Sequence, residues 1–287
     1  MPFMRLKFSG QTNVGRVRPH NEDAFSVVEL DQRRSWVPGA VPGIIEVGEG
    51  RVLLAVSDGM GGEQAGEVAS ALTVAFLENE LRDQADRTSA ATSLVTAVKR
   101  ANHAVWQASQ ERGKEGMGAT LTAVLIHGQC AYIAEIGDSR AYLVRGSRIV
   151  QITRDQSLVQ QLVDIGSLTA EEAERSPYRN LILQAVGKSP EVHVALGRLA
   201  LRRGDQLVLC SDGLSGKLRD SEILGIMSRA SDFAGACAQM ITLANQRGGE
   251  DNITVILAEV TGDELSLPVE GERLSATFEN APPLKLR

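Results

Sequence analysis

The chain has 287 residues, 43% of them hydrophobic and 23% charged, and carries a net charge of −6. These values describe an ordinary globular protein, one large domain or two small ones, with ample chain to bury a core. The acidic balance argues against a nucleic-acid partner, which calls for a basic surplus, but leaves room for an anionic substrate held by one or two local arginines.

Met4, Leu6 and Phe8 alternate with Arg5, Lys7 and Ser9, the pattern of a one-sided strand. After the turn Asn21-Glu22-Asp23 a second strand is expected over 24–30. Residues 31–50 are rich in Pro and Gly, with Trp36 and a short apolar patch at Ile44-Ile45. This stretch is long for a hairpin connection and reads as a surface excursion. The apolar run 52–56 leads into Ser57-Asp58-Gly59 and reads as a buried strand that breaks into a turn. Two helices follow, one over 63–81 and one carrying Ala91, Leu94, Val95, Val98, Ala101 and Val105 at helical spacing.

Strands are expected at 121–126, 130–136, 141–144 and 149–152, with Gly128-Gln129 and Gly146-Ser147 as tight hairpin turns. Residues 155–187 are polar and Glu-rich and read as a mostly helical small insertion, broken at Ser176-Pro177. Strands resume at 192–196 and 206–210, the second running into another Ser211-Asp212-Gly213. Helices at 221–227 and 233–245 and a strand at 253–260 close the domain body, 1–261. Residues 262–287 are acidic and aperiodic and read as a flexible tail. Strands and helices thus come in blocks, which favours antiparallel sheets with helices packed outside them.

The two Ser-Asp-Gly segments are joined by three further acidic turns: Asn21-Glu22-Asp23, Gly137-Asp138-Ser139-Arg140 and Gly248-Gly249-Glu250-Asp251-Asn252. A carboxylate at the end of a buried strand is partly desolvated and needs a partner. If these turns converge, their repulsion requires a cation, and hard ions such as Mg²⁺ or Mn²⁺ prefer oxygen ligands. Glycine after aspartate lets the backbone carbonyl come close as well. The four histidines show no ligand-pair spacing, which argues against a zinc site of His and Cys. Cys130, Cys210 and Cys237 lie far apart in apolar surroundings and read as reduced core residues of a cytoplasmic protein. No secretory leader and no membrane-spanning apolar run is read in the chain.

The ordered series of motifs resembles the bacterial branch of the metal-dependent, type 2C serine/threonine protein phosphatases. It runs Gly15-Arg16-Val17-Arg18-Pro19-His20-Asn21-Glu22-Asp23, Ser57-Asp58-Gly59-Met60-Gly61-Gly62, Met117-Gly118-Ala119-Thr120, Gly137-Asp138-Ser139-Arg140, Ser211-Asp212-Gly213 and Gly249-Glu250-Asp251-Asn252-Ile253-Thr254. The resemblance implies an α+β fold, a four-layer α-β-β-α sandwich whose two antiparallel sheets are flanked by helices, with 155–187 as a helical flap. It implies two Mg²⁺ or Mn²⁺ ions, with a third, weaker site. Asp58 would bridge both ions and the Gly59 carbonyl would bind one. Asp212 and Asp251 would serve the other, Glu22 and Asp23 would orient bound waters in or beside the coordination shell, and Asp138 would share the third ion with Asp212. Arg18 would grip the phosphate, with Arg16 a weaker candidate.

The implied reaction is hydrolysis of phosphoserine and phosphothreonine in proteins by a water activated between the two ions. The implied partners are phosphoproteins, a serine/threonine kinase and its substrates, met by a monomer. Two departures stand out. Met60 occupies a position where many eukaryotic members have histidine, and Gln156 stands where many relatives have the histidine of Asp-His-Ser. Neither can titrate, and His20 is a poor substitute. Arg175, Arg179 and Asn180 of the insertion are candidates to touch substrate. Two other readings stay open: a catalytically silent relative acting as a binding module, and a phosphatase for a non-protein phosphoester.

Overall fold

The computed structural model describes residues 4–36, 43–48, 50–61, 65–83, 89–111, 113–269, 271–272 and 274–279. Its strands are β1 (Arg5–Asn13), β2 (Asp23–Glu29), β3 (Arg34–Trp36), β4 (Gly43–Glu46), β5 (Arg51–Met60), β6 (Gly118–Ala119), β7 (Leu121–His127), β8 (Cys130–Ile136), β9 (Arg140–Arg145), β10 (Arg148–Gln151), β11 (Ala195–Ala200), β12 (Gln206–Cys210), β13 (Ile253–Thr261) and β14 (Thr277–Glu279). Its helices are α1 (Ala65–Asp83), α2 (Ala90–Ala108), α3 (Leu158–Asp164), α4 (Ala170–Arg175), α5 (Asp212–Ser215), α6 (Asp220–Arg229) and α7 (Phe233–Gln246).

One sheet has the order β10-β9-β12-β13-β1-β4, the other β14-β11-β8-β7-β5-β2-β3, with β6 added to the end of β5. Every pairing is antiparallel. The sheets face each other across a shared core that includes Leu6, Phe8, Val27, Leu54, Leu143, Leu209 and Ile256. The outer face of the second sheet is covered by α1 and α2, through Leu77, Leu81, Leu94, Val98 and Val105. The outer face of the first is covered by α6 and α7, through Ile223, Ile226, Phe233, Met240 and Ile241. This gives four layers. Strand β5 sits in the middle of the second sheet, so both of its faces are apolar: Val52, Leu54 and Val56 meet the inter-sheet core while Leu53 and Ala55 meet the helices.

The structure corrects several expectations. The segment 31–50 is no free excursion: β3 pairs with β2 and β4 with β1, so it edges both sheets in turn. Trp36 packs edge-on against Phe8 with ring centroids 5.2 Å apart, and Ile45 is buried beside Leu6. Residues 37–42 lie outside the described residues. The expected 192–196 strand forms instead at β11, because Leu199 rather than Val192 reaches the inter-sheet core. The insertion holds two short helices, α3 and α4, joined by irregular chain, and so is less helical than expected.

The segment after 261 also differs from a flexible tail. Leu265 and Leu274 join the inter-sheet core, and β14 pairs with β11. Glu272 bonds Arg145 and Arg202 at 2.9 and 2.7 Å. A few long-range anchors hold this segment, so it shows no periodicity. Residues 280–287 lie outside the described residues.

Arg145 is buried between the sheets and the tail, and Asp205 takes two of its N–H groups at 2.7 Å each. Removing Asp205 leaves the buried Arg145 charge with only the partly exposed Glu272 as counter-ion. Asp205→Ala is expected to lower unfolding stability by about 3 kcal/mol, read from urea denaturation; a loss within error would mean that Glu272 alone balances the Arg145 charge.

Candidate active site and metal centre

All the acidic turns open at one end of the sandwich. Strand β2 begins there and β5 ends there, and their register sets Asp23 directly opposite Asp58. Like charges facing each other across a strand pair are destabilising. The chain does not turn at Asp58-Gly59, as the sequence suggested. β5 runs on through Met60 and pairs with β6, so Asp58 is held by a ladder on both sides. The Asp58 amide donates to Thr120 Oγ1 at 2.9 Å, the Ser57 hydroxyl donates to the Thr120 carbonyl at 2.7 Å, and Thr120 and Ser139 share a hydroxyl bond of 2.7 Å. The Gly59 amide donates to the Glu22 carbonyl at 3.0 Å. A Cβ on Gly59 would run into the carbonyl oxygens of Gly66 and Glu22, so glycine is required there by close backbone approach.

The second Ser-Asp-Gly behaves differently. Ser211 is the N-cap of the short helix α5 and Asp212 its first residue. The Ser211 hydroxyl donates to Asp23 Oδ2 at 2.7 Å and so ties the two sheets together at the site. Asp251 lies in the turn between α7 and β13, and Asp138 in the turn between β8 and β9.

The electrostatics are those of too many carboxylates in too little water. Asp23 is pushed up to about 7, first by burial and then by Asp212 and Asp251, against hydrogen bonds from Thr254 and Ser211. Burial and the fields of Asp212 and Asp155 push Asp138 up to about 8, with Arg140 opposing. Asp58 lies well above the usual carboxylate range, through burial and then Asp23, Asp212, Asp138 and Asp251. Asp212 is raised by burial and by Asp251, and a side-chain hydrogen bond with Asp58 lowers it. Burial also raises Glu22.

Asp23 Oδ1 and Asp212 Oδ1 are buried without a hydrogen-bond partner. Among the described residues, no three His, Cys, Asp or Glu side chains already close on one point as a finished cage. The fit to a metal therefore rests on the donors themselves: oxygen only, excess negative charge and two orphaned carboxylate oxygens. That set suits hard divalent cations. Arg18 stands at the rim, its side chain 48% exposed, with Nη2 donating to Asp251 Oδ2 at 2.9 Å.

Other sequence candidates fall around this centre. His20 and Arg16 are exposed, although the Arg16 amide donates to the Gly249 carbonyl at 2.7 Å. Glu250 is held charged chiefly by Lys217, with Arg179 of the insertion adding to the effect; Arg175 and Asn180 are exposed. Gly62 lies outside the described residues. Gln156 has a structural task in place of proton transfer: it accepts from the Gly137 amide at 3.0 Å and from Gln184 Nε2 at 2.9 Å, and donates to the Glu135 carbonyl at 3.1 Å. It thereby joins the insertion to the Asp138 turn. Ser211, Thr120, Gln156 and Asn252 all lie in or beside motifs visible in the sequence, but their partners are distant in the chain.

Residues 43–258 match the family model for protein phosphatase 2C. The chain belongs to the protein phosphatase 2C family. It is 39% identical over 256 residues to the serine/threonine protein phosphatase PstP of Mycobacterium tuberculosis, covering 89% of this chain and 45% of that relative's length. It is 37% identical to the protein phosphatase PhpP of Streptococcus pneumoniae, over 90% of this chain and 99% of that one. The crystal structure of the M. tuberculosis PstP/Ppp phosphatase superposes with a TM-score of 0.76 at 37% identity, covering 90% and 99% of the two chains. The PstP catalytic domain in complex with two manganese ions superposes with a TM-score of 0.74 at the same identity and coverage. The four-layer sandwich of this family is the fold seen here.

The raised carboxyls make stability pH-dependent. A carboxyl whose folded value lies above its unfolded one favours the protonated folded state, so its penalty is absent below the unfolded value, grows as pH rises from there to the folded value, and is constant above it. For Asp23 and Asp138 that window extends to about 7 and about 8. The chelator-treated protein should therefore lose Tm progressively from pH ~4 to ~8 and level off above that, and Mn²⁺ should raise Tm most at the alkaline end. Scanning fluorimetry across that range checks both; a Tm that rises with pH in chelator contradicts the charge balance drawn here.

Proposed function

We propose that this chain is a metal-dependent phosphatase that hydrolyses phosphoserine and phosphothreonine in proteins. The observation that carries the reading is the cross-strand apposition of Asp23 and Asp58, with Asp212 hydrogen-bonded alongside and four carboxylates, Asp23, Asp212, Asp138 and Asp251, acting on Asp58. Such a centre is built for two Mg²⁺ or Mn²⁺ ions. Asp58 and the Gly59 carbonyl, Asp212 and Asp251 would hold them, Glu22 and Asp23 would orient water, and Asp138 with Asp212 would serve a third ion. Bound there, two divalent ions would supply a nucleophilic water at neutral pH and a positive field for the phosphoryl oxygens.

The chain's own residues do the rest. Thr120 fixes the Asp58 backbone and Ser211 holds the Asp23 carboxylate, which spares reorganisation during the reaction. Arg18, always charged and forked, can leave Asp251 to grip two phosphate oxygens. Nothing in this scheme needs a covalent phosphoenzyme. Burial pushes the Cys210 and Cys237 thiols up to about 12, so neither supplies a thiolate nucleophile.

The substrates on this reading are phosphoproteins, including a serine/threonine kinase and its targets, met by a monomer. Among the described residues no helix is long and apolar enough to cross a membrane, and all three cysteines are free, which supports a reducing cytoplasmic setting. A silent binding module would lack part of the carboxylate and arginine set; this chain retains Arg18, Asp23, Asp58, Asp138, Asp212 and Asp251, which supports the active reading.

With a phosphothreonine peptide, turnover should need added Mn²⁺ or Mg²⁺ and stop in excess chelator; full rates in chelator would sink the two-ion reading. Asp58→Asn should reduce turnover to background while the fold persists by circular dichroism. Arg18→Ala removes charge-assisted bonds of about 1.5–3 kcal/mol and should raise KM for p-nitrophenyl phosphate roughly ten-fold or more; an unchanged KM would place the phosphate grip elsewhere.

A further inference from the structure

Arg18 sits on an exposed loop, 14–22, and exposed loops are ordinarily mobile. A guanidinium that must meet phosphate oxygens two at a time needs a fixed backbone beneath it. Three points of this loop are held by one side chain. Asn252 Nδ2 donates to the Val14 carbonyl and to the His20 carbonyl, each at 2.9 Å, and its Oδ1 accepts from the Glu22 amide at 2.7 Å. Both amide protons and a carbonyl lone pair are thus used, and the residue is 3% exposed. Two carbonyls and one amide define which end of the side chain is nitrogen. They also exclude aspartate, which would set a charged oxygen against two carbonyl oxygens.

The loop meets the same turn through its backbone. Gly15 has φ +81°, and a Cβ there would collide with the carbonyl oxygens of Asp251 and Gly249. The Arg16 amide donates to the Gly249 carbonyl. Asn252 is itself fixed by its place between Asp251, whose Oδ1 accepts its amide at 3.0 Å, and the first residue of β13.

We propose that Asn252 is a positioning residue for phosphate recognition: it holds the Arg18 loop in register with the Asp251 turn, so that the guanidinium and the carboxylate centre face one phosphoryl group. This rests on the phosphatase reading above, and specifically on Arg18 as the phosphate grip. It predicts that Asn252 acts through Arg18 and not merely through stability.

The test is a double-mutant cycle on the Mn²⁺-loaded full chain with p-nitrophenyl phosphate. Asn252→Ala should raise KM roughly ten-fold, much as Arg18→Ala does. In the Arg18→Ala background the same change should move KM by less than about two-fold. Gly15→Ala, which lifts the loop from the other side, should reproduce the KM rise and serves if Asn252→Ala does not fold. Asn102→Ala is the matched control. Asn102 is equally buried and bonds the Gly187 amide and the Ser189 and Pro190 carbonyls, away from Arg18. It should lower Tm without raising KM.

An unchanged KM in Asn252→Ala or, failing that, in Gly15→Ala would overturn the proposal. So would a full additive effect on top of Arg18→Ala, or an equal KM rise in Asn102→Ala. If Arg18→Ala raises KM and these variants do not, only the positioning role fails. If Arg18→Ala itself leaves KM unchanged, the phosphate grip and the positioning role fail together.

Discussion

Repulsion among Asp23, Asp58, Asp138, Asp212 and Asp251 is the constraint on which the rest of this structure depends. The first two are matched across a strand pair and the others arrive on turns from both sheets. A protein interior does not tolerate that density of negative charge without either protons or cations. Much of the architecture near the site makes sense as the means of holding these groups together against their own field. The hydroxyls of Thr120 and Ser211 pin individual carboxylates or their backbones, and β6 extends the ladder past Asp58.

The sandwich supplies the stiffness this requires. Because the strands are antiparallel, neighbouring strands start and finish at the same end, and five separated pieces of chain can converge there. The core between the sheets and the two helix layers resist the relaxation that would let the carboxylates drift apart. Arg18, the cation at the rim of the site, is on an exposed loop and, on the proposed reading, exchanges Asp251 for a substrate oxygen. Rigid anions and one adaptable cation are a division of labour suited to phosphoryl chemistry.

The two Ser-Asp-Gly segments show how far local pattern reached. Both were legible as ends of buried strands carrying a carboxylate, and the acidic turns were legible as one set. Their backbones are not alike: one is an unbroken strand and the other caps a helix, a difference set by whether β6 or α5 is available as neighbour. The segment 31–50 and the segment after 261 were misread for a related reason. Each is held by pairings and salt bridges to residues remote in the chain, such as β4 on β1 and Glu272 on Arg145, and leaves no periodic trace.

By itself the sequence determined the strand-and-helix blocks, through hydrophobic periodicity, and the identity and order of the oxygen donors, through residue type. Tertiary structure alone decided that Asp23 faces Asp58, that Ser211 bonds Asp23 and that Asn252 reaches three points of the Arg18 loop. The reason is physical: periodicity records which face of a segment is dry. Strand register and the partners of a buried amide depend on contacts between residues as far as 238 positions apart, and no local preference encodes them.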